Sequence, residues 1–393
     1  MTETALNASG RPATRILFVT DLRALPQATG GVQSLMHELA QELAARGRRP
    51  AVLAPFAHDD RLGLRNRVLM KISGAKTIRD RTMGYDTWRR WSLDGDLAEP
   101  LARIRPDVAI VMPTRAVALA KAVSAHGVPT LFYVQDAELQ HLGGDPRDLV
   151  GVRFAANSEF TARLYRDAFG IDAVVIPPLI RPERYRTATT RANVTLINPH
   201  PLKGGELAVA IARRLPEIPF VFVQAWSLPP DYARWLNAEV ATLSNVTLRP
   251  KTDDMKSVYR EAKVLLAPSR WQEAWGRVAS EAQFSGIPVV ASDRGGLPEA
   301  VGAGGVLLDP DGPVEAWVDA IQALWTDARR YAALSEAALT HSRRPQIAPT
   351  TLVDSLLRVL GETVAAHGSH DADQRSLSAG VQLCEAKKRC ADS

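Results

Sequence analysis

The stretch that most constrains this chain is Pro268-Ser-Arg-Trp-Gln-Glu-Ala-Trp-Gly-Arg-Val-Ala-Ser-Glu-Ala282. Ahead of it, Ala262–Ala267 is a short apolar run with the length and composition of a buried parallel strand. Behind it, Arg277 to Phe284 is helix-forming and stops at Ser285-Gly286-Ile287-Pro288, glycine and then proline. A loop that leaves a buried strand and enters a helix is where open α/β sheets receive ligands. At its tip Glu273, Ala274, Trp275, Gly276 and Arg277 bring a carboxylate and several backbone N–H groups to a helix start. Such N–H groups and the positive end of the helix dipole favour an anion. Glu273 itself suits hydroxyl groups better than phosphate. Glu281 lies about one turn into the helix, so the two acids face different parts of one extended ligand. Taken alone, the spacing has a plainer account, two solvated acids around a packing helix.

With 393 residues the chain is too long for one ordinary core, so two domains are expected. Hydrophobic content of 46% and charged content of 23% match a soluble globular protein. A net charge of +5 suits an anionic substrate or a membrane surface and does not by itself indicate nucleic acid. The only two cysteines, Cys384 and Cys390, both lie in a polar C-terminal tail, so neither staples the fold, and whether they pair stays open. No Cys/His spacing reads as zinc-binding. Met1 to Thr14 lacks an apolar signal core and no run is long enough to span a bilayer. A cytoplasmic location is expected.

Along the chain, strand-like and helix-like patterns alternate. Arg15–Thr20 is a strand ending at Asp21, and Thr29-Gly-Gly-Val32 leads into an amphipathic helix from Gln33 to Ala45. Pro50–Ala54 completes a βαβ unit. Gly30 and Gly31 allow backbone to approach a diphosphate, though a plain tight turn explains a glycine pair equally well. Phe56 to Pro100 breaks the alternation with many arginines and lysines interleaved with Tyr85, Trp88 and Trp91. It reads as an exposed helical excursion with solvated charges, and an acceptor-binding or peripheral membrane surface through 61–91 stays open. Asp107–Met112 and Pro129–Val134 are further strands, the latter ending at Gln135-Asp136, where a ligand is met. Val174-Val-Ile-Pro-Pro178 leads to a polar linker. Asn193–Asn198 then opens a second set of strands, and Lys203-Gly-Gly205 at a helix start makes a charge-plus-amide anion site.

E-A-W-G-R-V-A-S-E, set in P-S-x-x-x-E-x-x-G-x-x-x-x-E-A and followed by G-I-P-V-V-A-S-D-x-G-G-L-P-E, resembles the E-x7-E signature of retaining glycosyltransferases of family 4, glycosyl transferases group 1. The likeness extends over most of the chain apart from 56–100 and the tail. It implies an α/β chain with the GT-B fold, two Rossmann-like βαβ domains facing each other across a cleft. The implied boundaries are a flexible 1–14, an acceptor-binding domain 15–180, a linker 181–192, a nucleotide-sugar domain 193–345, a helix 346–366 crossing back to the first domain, and a disordered tail 367–393.

The resemblance also implies roles. Lys203 and Glu273 would act at the reacting centre, the lysine on the donor diphosphate and the glutamate on sugar hydroxyls. Gly30, Gly31, Asn198, Lys251, Ala274, Trp275, Gly276, Arg277 and Glu281 would surround the donor, with Glu281 on the ribose hydroxyls and the loop at Lys251 along the base. Asn198 or His200 would assist Lys203, because an arginine common in relatives is absent here. Asp21, Gln135 and Asp136 would face the acceptor, with Gln135 standing where many relatives have a histidine. The implied partners are a nucleotide-diphosphate sugar and an acceptor that is a lipid carrier, a glycan or a small natural product. No metal, cofactor or nucleic acid is expected. A GT-B nucleotide-sugar epimerase and a non-catalytic nucleotide-sugar-binding protein are the alternatives. An oxidoreductase is disfavoured by the lack of G-x-G-x-x-G.

Overall fold

Apolar strands at the centre of the chain's first half set its architecture. The computed structural model describes residues 14–57 and 59–368, so Met1 to Ala13, most of the tail and both cysteines lie outside the described residues. The first sheet contains β1 (Arg15–Val19), β2 (Arg49–Pro55), β3 (Ile78–Asp80), β4 (Asp86–Arg90), β5 (Val108–Val111), β6 (Thr130–Val134), β7 (Arg153–Ala156) and β8 (Val174–Val175). Their order is β3-β4-β2-β1-β5-β6-β7-β8, and every pairing is parallel except β3 with β4. Ile16 stands opposite Val108 on one side and Pro50 on the other. Alternate residues of β1 feed two cores: Ile16 and Phe18 pack with Leu35, Met36 and Leu39, while Leu17 and Val19 pack with Leu119 and Val123. Burial on both faces is why these strands are almost continuously apolar.

The second sheet contains β9 (Asn193–Ile197), β10 (Phe220–Val223), β11 (Val246–Arg249), β12 (Ala262–Ala267), β13 (Val289–Ser292) and β14 (Gly305–Leu308). Its order is β11-β10-β9-β12-β13-β14 and all its pairings are parallel. The order reverses between β9 and β12, and the loops that follow these two strands carry Lys203 and Glu273. A crevice outside the carboxyl ends of strands at such a reversal is the usual ligand position in open α/β sheets.

Two segments differ from the sequence expectation, and a third lies close to it. The basic stretch 56–100 is only partly an exposed excursion. After the helix Arg61–Ser73, β3 and β4 join the sheet, and Trp88 and Arg89 are buried. Arg89 is tolerated there because its Nε donates to Asp80 Oδ2 at 2.5 Å and its Nη2 to Leu25 O at 2.6 Å. A buried arginine needs such partners. The polar linker is not free either. Ile180 and Tyr185 are buried against Tyr259, Ala282 and Phe284 of the second core. The last described helix runs over residues 349–368 and passes through Gly361. Its Leu352, Val353, Leu356, Val359, Leu360 and Val364 belong to the core around β1 in the first domain.

Candidate active site

Between the two sheets lies a cleft of about 730 Å³, within the range of ligand sites. The second domain supplies most of its charged groups. Lys203 closes the turn Pro201–Lys203 and precedes Gly204, whose φ of +75° favours glycine. A Cβ at Gly204 would lie 1.9 Å from Pro268 O, so this glycine also lets the lysine loop press on the glutamate loop. Leu202 O accepts the N–H groups of Arg270 at 3.0 Å and Trp271 at 2.8 Å and locks the two loops together.

That docking brings Lys203 Nζ to 2.5 Å from Glu273 Oε1, which also accepts Ser269 Oγ at 3.0 Å. The ammonium lies 4.7 Å from the ring centre of Trp226 and 5.8 Å from that of Trp271, inside cation–π range. Behind Glu273, Gly295 and Gly296 touch the loop backbone. A Cβ on Gly295 would meet Glu273 O at 2.5 Å, and Gly296 N–H donates to Glu273 O at 2.6 Å. The G-G-L-P-E stretch therefore shapes the glutamate loop from outside.

Deeper in the cleft, Glu281 is buried on the helix Arg277–Gln283. Its Oε2 accepts Tyr259 O–H at 2.8 Å and its Oε1 lies 3.6 Å from Arg277 Nε. Burial, reinforced by Glu281, holds the Tyr259 phenol well above its ordinary value, so it remains a donor. Arg277 spans the domains: it donates to Leu179 O at 3.0 Å, and its Nη2 stands 3.5 Å from Glu38 Oε2. Burial disfavours the guanidinium, yet Glu38 and Glu281 outweigh it and raise its pKa. Glu38 is fully buried and also accepts Arg184 Nη1 at 2.9 Å. Burial pushes the Glu38 carboxyl up, against the pull of Arg277 and Arg184.

All the anticipated donor-side residues border this cleft: Gly30, Gly31, Asn198, Lys203, Lys251, Ala274, Trp275, Gly276, Arg277 and Glu281, together with Glu273. Their contacts refine what each does. Asn198 has φ +66° at the end of β9, and its Oδ1 accepts Trp226 N–H at 3.2 Å, so it fixes the neighbouring loop. The Trp275 indole is turned into the second core, with Nε1 donating to Ser280 Oγ at 3.1 Å. Lys251 Nζ reaches Thr29 Oγ1 across the cleft. No protein backbone crowds a Cβ at Gly30 or Gly31; the nearest atoms belong to Gln33 and Arg277 side chains.

On the acceptor side, Gln135 and Asp136 border the cleft. Burial raises the Asp136 carboxyl although Glu138 N–H donates to it at 3.0 Å. Asp21 is not on the cleft wall and pairs with Arg115 at 3.4 Å. His200 is also off the wall; its Nδ1 accepts Leu202 N–H at 3.2 Å. His141 pairs with Glu138 at 2.7 Å, beside Asp136.

Sequence reading missed Glu38, Arg184, Tyr185, Tyr259 and Trp226. For Glu38 a signal existed: it sits inside the apolar stripe of the helix Gly31–Ala45, where a carboxylate needs a buried partner. That partner comes from the other domain, about 240 residues away in sequence, so nothing local identifies it.

Comparison with known proteins agrees with this geometry. The profile described as Glycosyl transferases group 1 matches residues 206–327, and that described as Glycosyltransferase Family 4 matches residues 29–184. Among curated relatives, a D-inositol 3-phosphate glycosyltransferase of Salinispora tropica is 43% identical over 129 residues, 32% of this chain and 26% of the relative. A protein of the same name from Mycobacteroides abscessus is 37% identical over 172 residues, 42% of this chain and 38% of the relative. These matches thus span a quarter to two fifths of the relatives' length. Among solved structures, a glycosyltransferase from Rickettsia africae has a TM-score of 0.70 at 16% identity, covering 89% of this chain and 99% of that one. Anabaena HepE in complex with UDP and glucose has a TM-score of 0.69 at 18% identity, covering 88% and 99%. At such identities the structural likeness speaks for the shared GT-B fold. With the two profiles together matching residues 29–184 and 206–327, the chain belongs to glycosyltransferase family 4, the group 1 glycosyltransferases.

Proposed function

We propose that this protein transfers a sugar from a nucleotide-diphosphate sugar to an acceptor hydroxyl, with retention at the anomeric carbon and without a metal ion. The observation that carries this reading is the pairing of Lys203 with Glu273 at 2.5 Å, from loops on either side of the strand-order reversal, with Glu281 deeper in the same cleft. Lys203 is suited to meet the charge that develops on the leaving diphosphate, which is where a preorganised cation lowers a barrier most. Glu273 then accepts from sugar hydroxyls and Glu281 from ribose hydroxyls. The two acids serve different ends of one donor and are not a glycosidase pair. In a front-face reaction the donor phosphate oxygen takes the acceptor proton, so no protein nucleophile is required.

Gly30 and Gly31 leave room at the opposite wall for the diphosphate. Closure about the segment 177–192 would exclude water and limit donor hydrolysis. The UDP and UDP-glucose held by structures of HepE support a uridine nucleotide as the first donor to try. Among the described residues no helix is long and apolar enough to cross a membrane, and we place the reaction in the cytoplasm. The test is a nucleotide-sugar panel followed by thermal shift and by nucleotide release with and without added EDTA. Stabilisation by a nucleotide sugar, EDTA-insensitive turnover and an axial-to-axial anomeric outcome by NMR are expected. A chelator-sensitive reaction, anomeric inversion, or release of a free 2-epimer without an acceptor would each replace this reading.

A further inference from the structure

The helix Arg61–Ser73 is built inside out. A surface helix ordinarily turns its apolar stripe toward the core. Here the outward face carries Leu64, Val68 and Ile72, exposed to 58%, 48% and 78%. The inward face buries Gly63, Asn66 and Met70, and neither amide atom of Asn66 has a hydrogen-bond partner among the described residues. No side chain of this helix belongs to the hydrophobic cores of the first domain. The helix is nonetheless firmly closed. Asp60 Oδ1 accepts Gly63 N–H at 2.6 Å at its start, and Gly74, at φ +66°, ends it. Asp60 Oδ1 also accepts Gln27 Nε2 at 2.7 Å, which ties the helix to the loop that brings Leu25 and Pro26 to the cleft.

The three exposed aliphatic residues follow one another at i, i+4 and i+8, so they form a single stripe within an arc of about 80°. Arg65 borders one side of that stripe, Arg67 and Lys71 the other, and Arg61 stands at its head. No acidic residue occurs from 61 to 76. Among the described residues, none of these four cations has an ion-pair partner. Nearby arginines are paired: Arg79 and Arg81 with Asp86, Arg89 with Asp80, and Arg103 with Glu99. An apolar stripe and an unanswered positive charge therefore coincide on one helix face.

We propose that this face docks the protein on an anionic lipid bilayer. A helix lying along the interface sinks the middle of its outward face deepest, which puts Leu64, Val68 and Ile72 among acyl chains. The flanking arginines and lysine then stay at the level of the headgroup phosphates. Nucleic acid would answer the charges but leave the stripe in water, and the helix has no aromatic ring on which a base could stack. A second copy of the helix would cover the stripe only by setting these cations against their own kind.

The test uses the full chain in flotation with vesicles of phosphatidylcholine and of an equimolar mixture with phosphatidylglycerol. The anionic vesicles should bind at least tenfold more tightly. That preference should shrink between about 0.1 M and about 1 M NaCl as screening shortens. A Leu64→Ser, Val68→Ser, Ile72→Ser variant should bind the anionic vesicles at least tenfold less tightly. An Arg61→Gln, Arg65→Gln, Arg67→Gln, Lys71→Gln variant should bind both lipids alike. Both variants alter exposed positions and should keep the parent circular-dichroism spectrum and melting temperature. No binding to anionic vesicles, equal binding to both lipids, or undiminished binding by the serine variant would overturn the inference. So would self-association in sedimentation that the serine variant abolishes, in place of vesicle binding, since a second copy would then be the occupant. No nucleotide sugar enters these measurements, so their failure leaves the glycosyl-transfer reading untouched.

Discussion

Lys203 and Glu273 illustrate how two side chains acquire a shared role only when their loops dock. Removing a preorganised donor to a developing charge typically costs about 10²–10³ in turnover, so Lys203→Met should lower kcat by about that factor. Nucleotide affinity should change less, and single-turnover kinetics against equilibrium binding separates the two. Glu281→Gln should behave in the opposite way. Hydrogen bonds to a charged group contribute roughly 1.5–3 kcal/mol, so calorimetry should show donor binding weaker by about ten- to a hundredfold. Two buried phenols make a further prediction about pH. Burial pushes Tyr85 and Tyr185 up to about 12. Because their folded values exceed the ordinary value near 10, their stabilising effect is whole below pH 10. It is lost as pH rises from about 10 to about 12, at up to about 1.4 kcal/mol per pH unit for each ring. Urea midpoints should be steady from pH 8 to 10 and then fall, and Tyr85→Phe should make the fall shallower.

At the scale of loops and helices, close backbone contact decides the site. Gly204 combines φ +75° with a Pro268 O only 1.9 Å from where a Cβ would stand, so Gly204→Ala must displace backbone. It should destabilise by about 2 kcal/mol or more and separate Lys203 from Glu273. Gly47 has nearly the same φ, +74°, with nothing within 4 Å of its added Cβ. Gly47→Ala should therefore cost only the backbone term, about 1–2 kcal/mol. Comparing the two by urea denaturation isolates the packing contribution. A short helix, Leu297–Val301, acts between the domains: its Glu299 accepts the N–H groups of Glu159 at 2.8 Å and Phe160 at 2.7 Å. Glu299 thus caps the helix Glu159–Phe169 of the first domain from the second, at the end where a carboxylate favours the dipole.

For the molecule as a whole, the returning helix over 349–368 makes the first domain depend on the end of the chain. Six of its apolar side chains are in the core around β1. At roughly 1.5–3 kcal/mol per buried side chain, their loss amounts to on the order of 10 kcal/mol, comparable with the whole stability of a domain. A chain ending at residue 348 should be insoluble or should lose its first thermal transition, which expression and calorimetry would show. The ion pair of Glu38 with Arg277 ties the two halves together, and Arg181 of the interdomain segment pairs with Glu42 of the first domain at 2.9 Å.

The alternating apolar runs, the glycine stops and the E-x7-E loop were readable from the chain because each depends on neighbours a few residues apart. Periodicity reports which face of a strand or helix is buried, and Glu273 and Glu281 sit on a loop and helix whose boundaries are local. The strands at 78–90 were not readable, because an arginine-rich run becomes a sheet edge only once Asp80 and the carbonyl of Leu25 compensate Arg89. Glu38 and Arg184 were hidden for the same reason, since a charge can be buried only by a partner that the fold delivers from far away. Sequence by itself determined the kind of sheet, the order of its elements and the chemistry of the two central loops. Tertiary structure decided which charges are paired and how the end of the chain completes its beginning, because those depend on contacts between residues that local pattern never brings together.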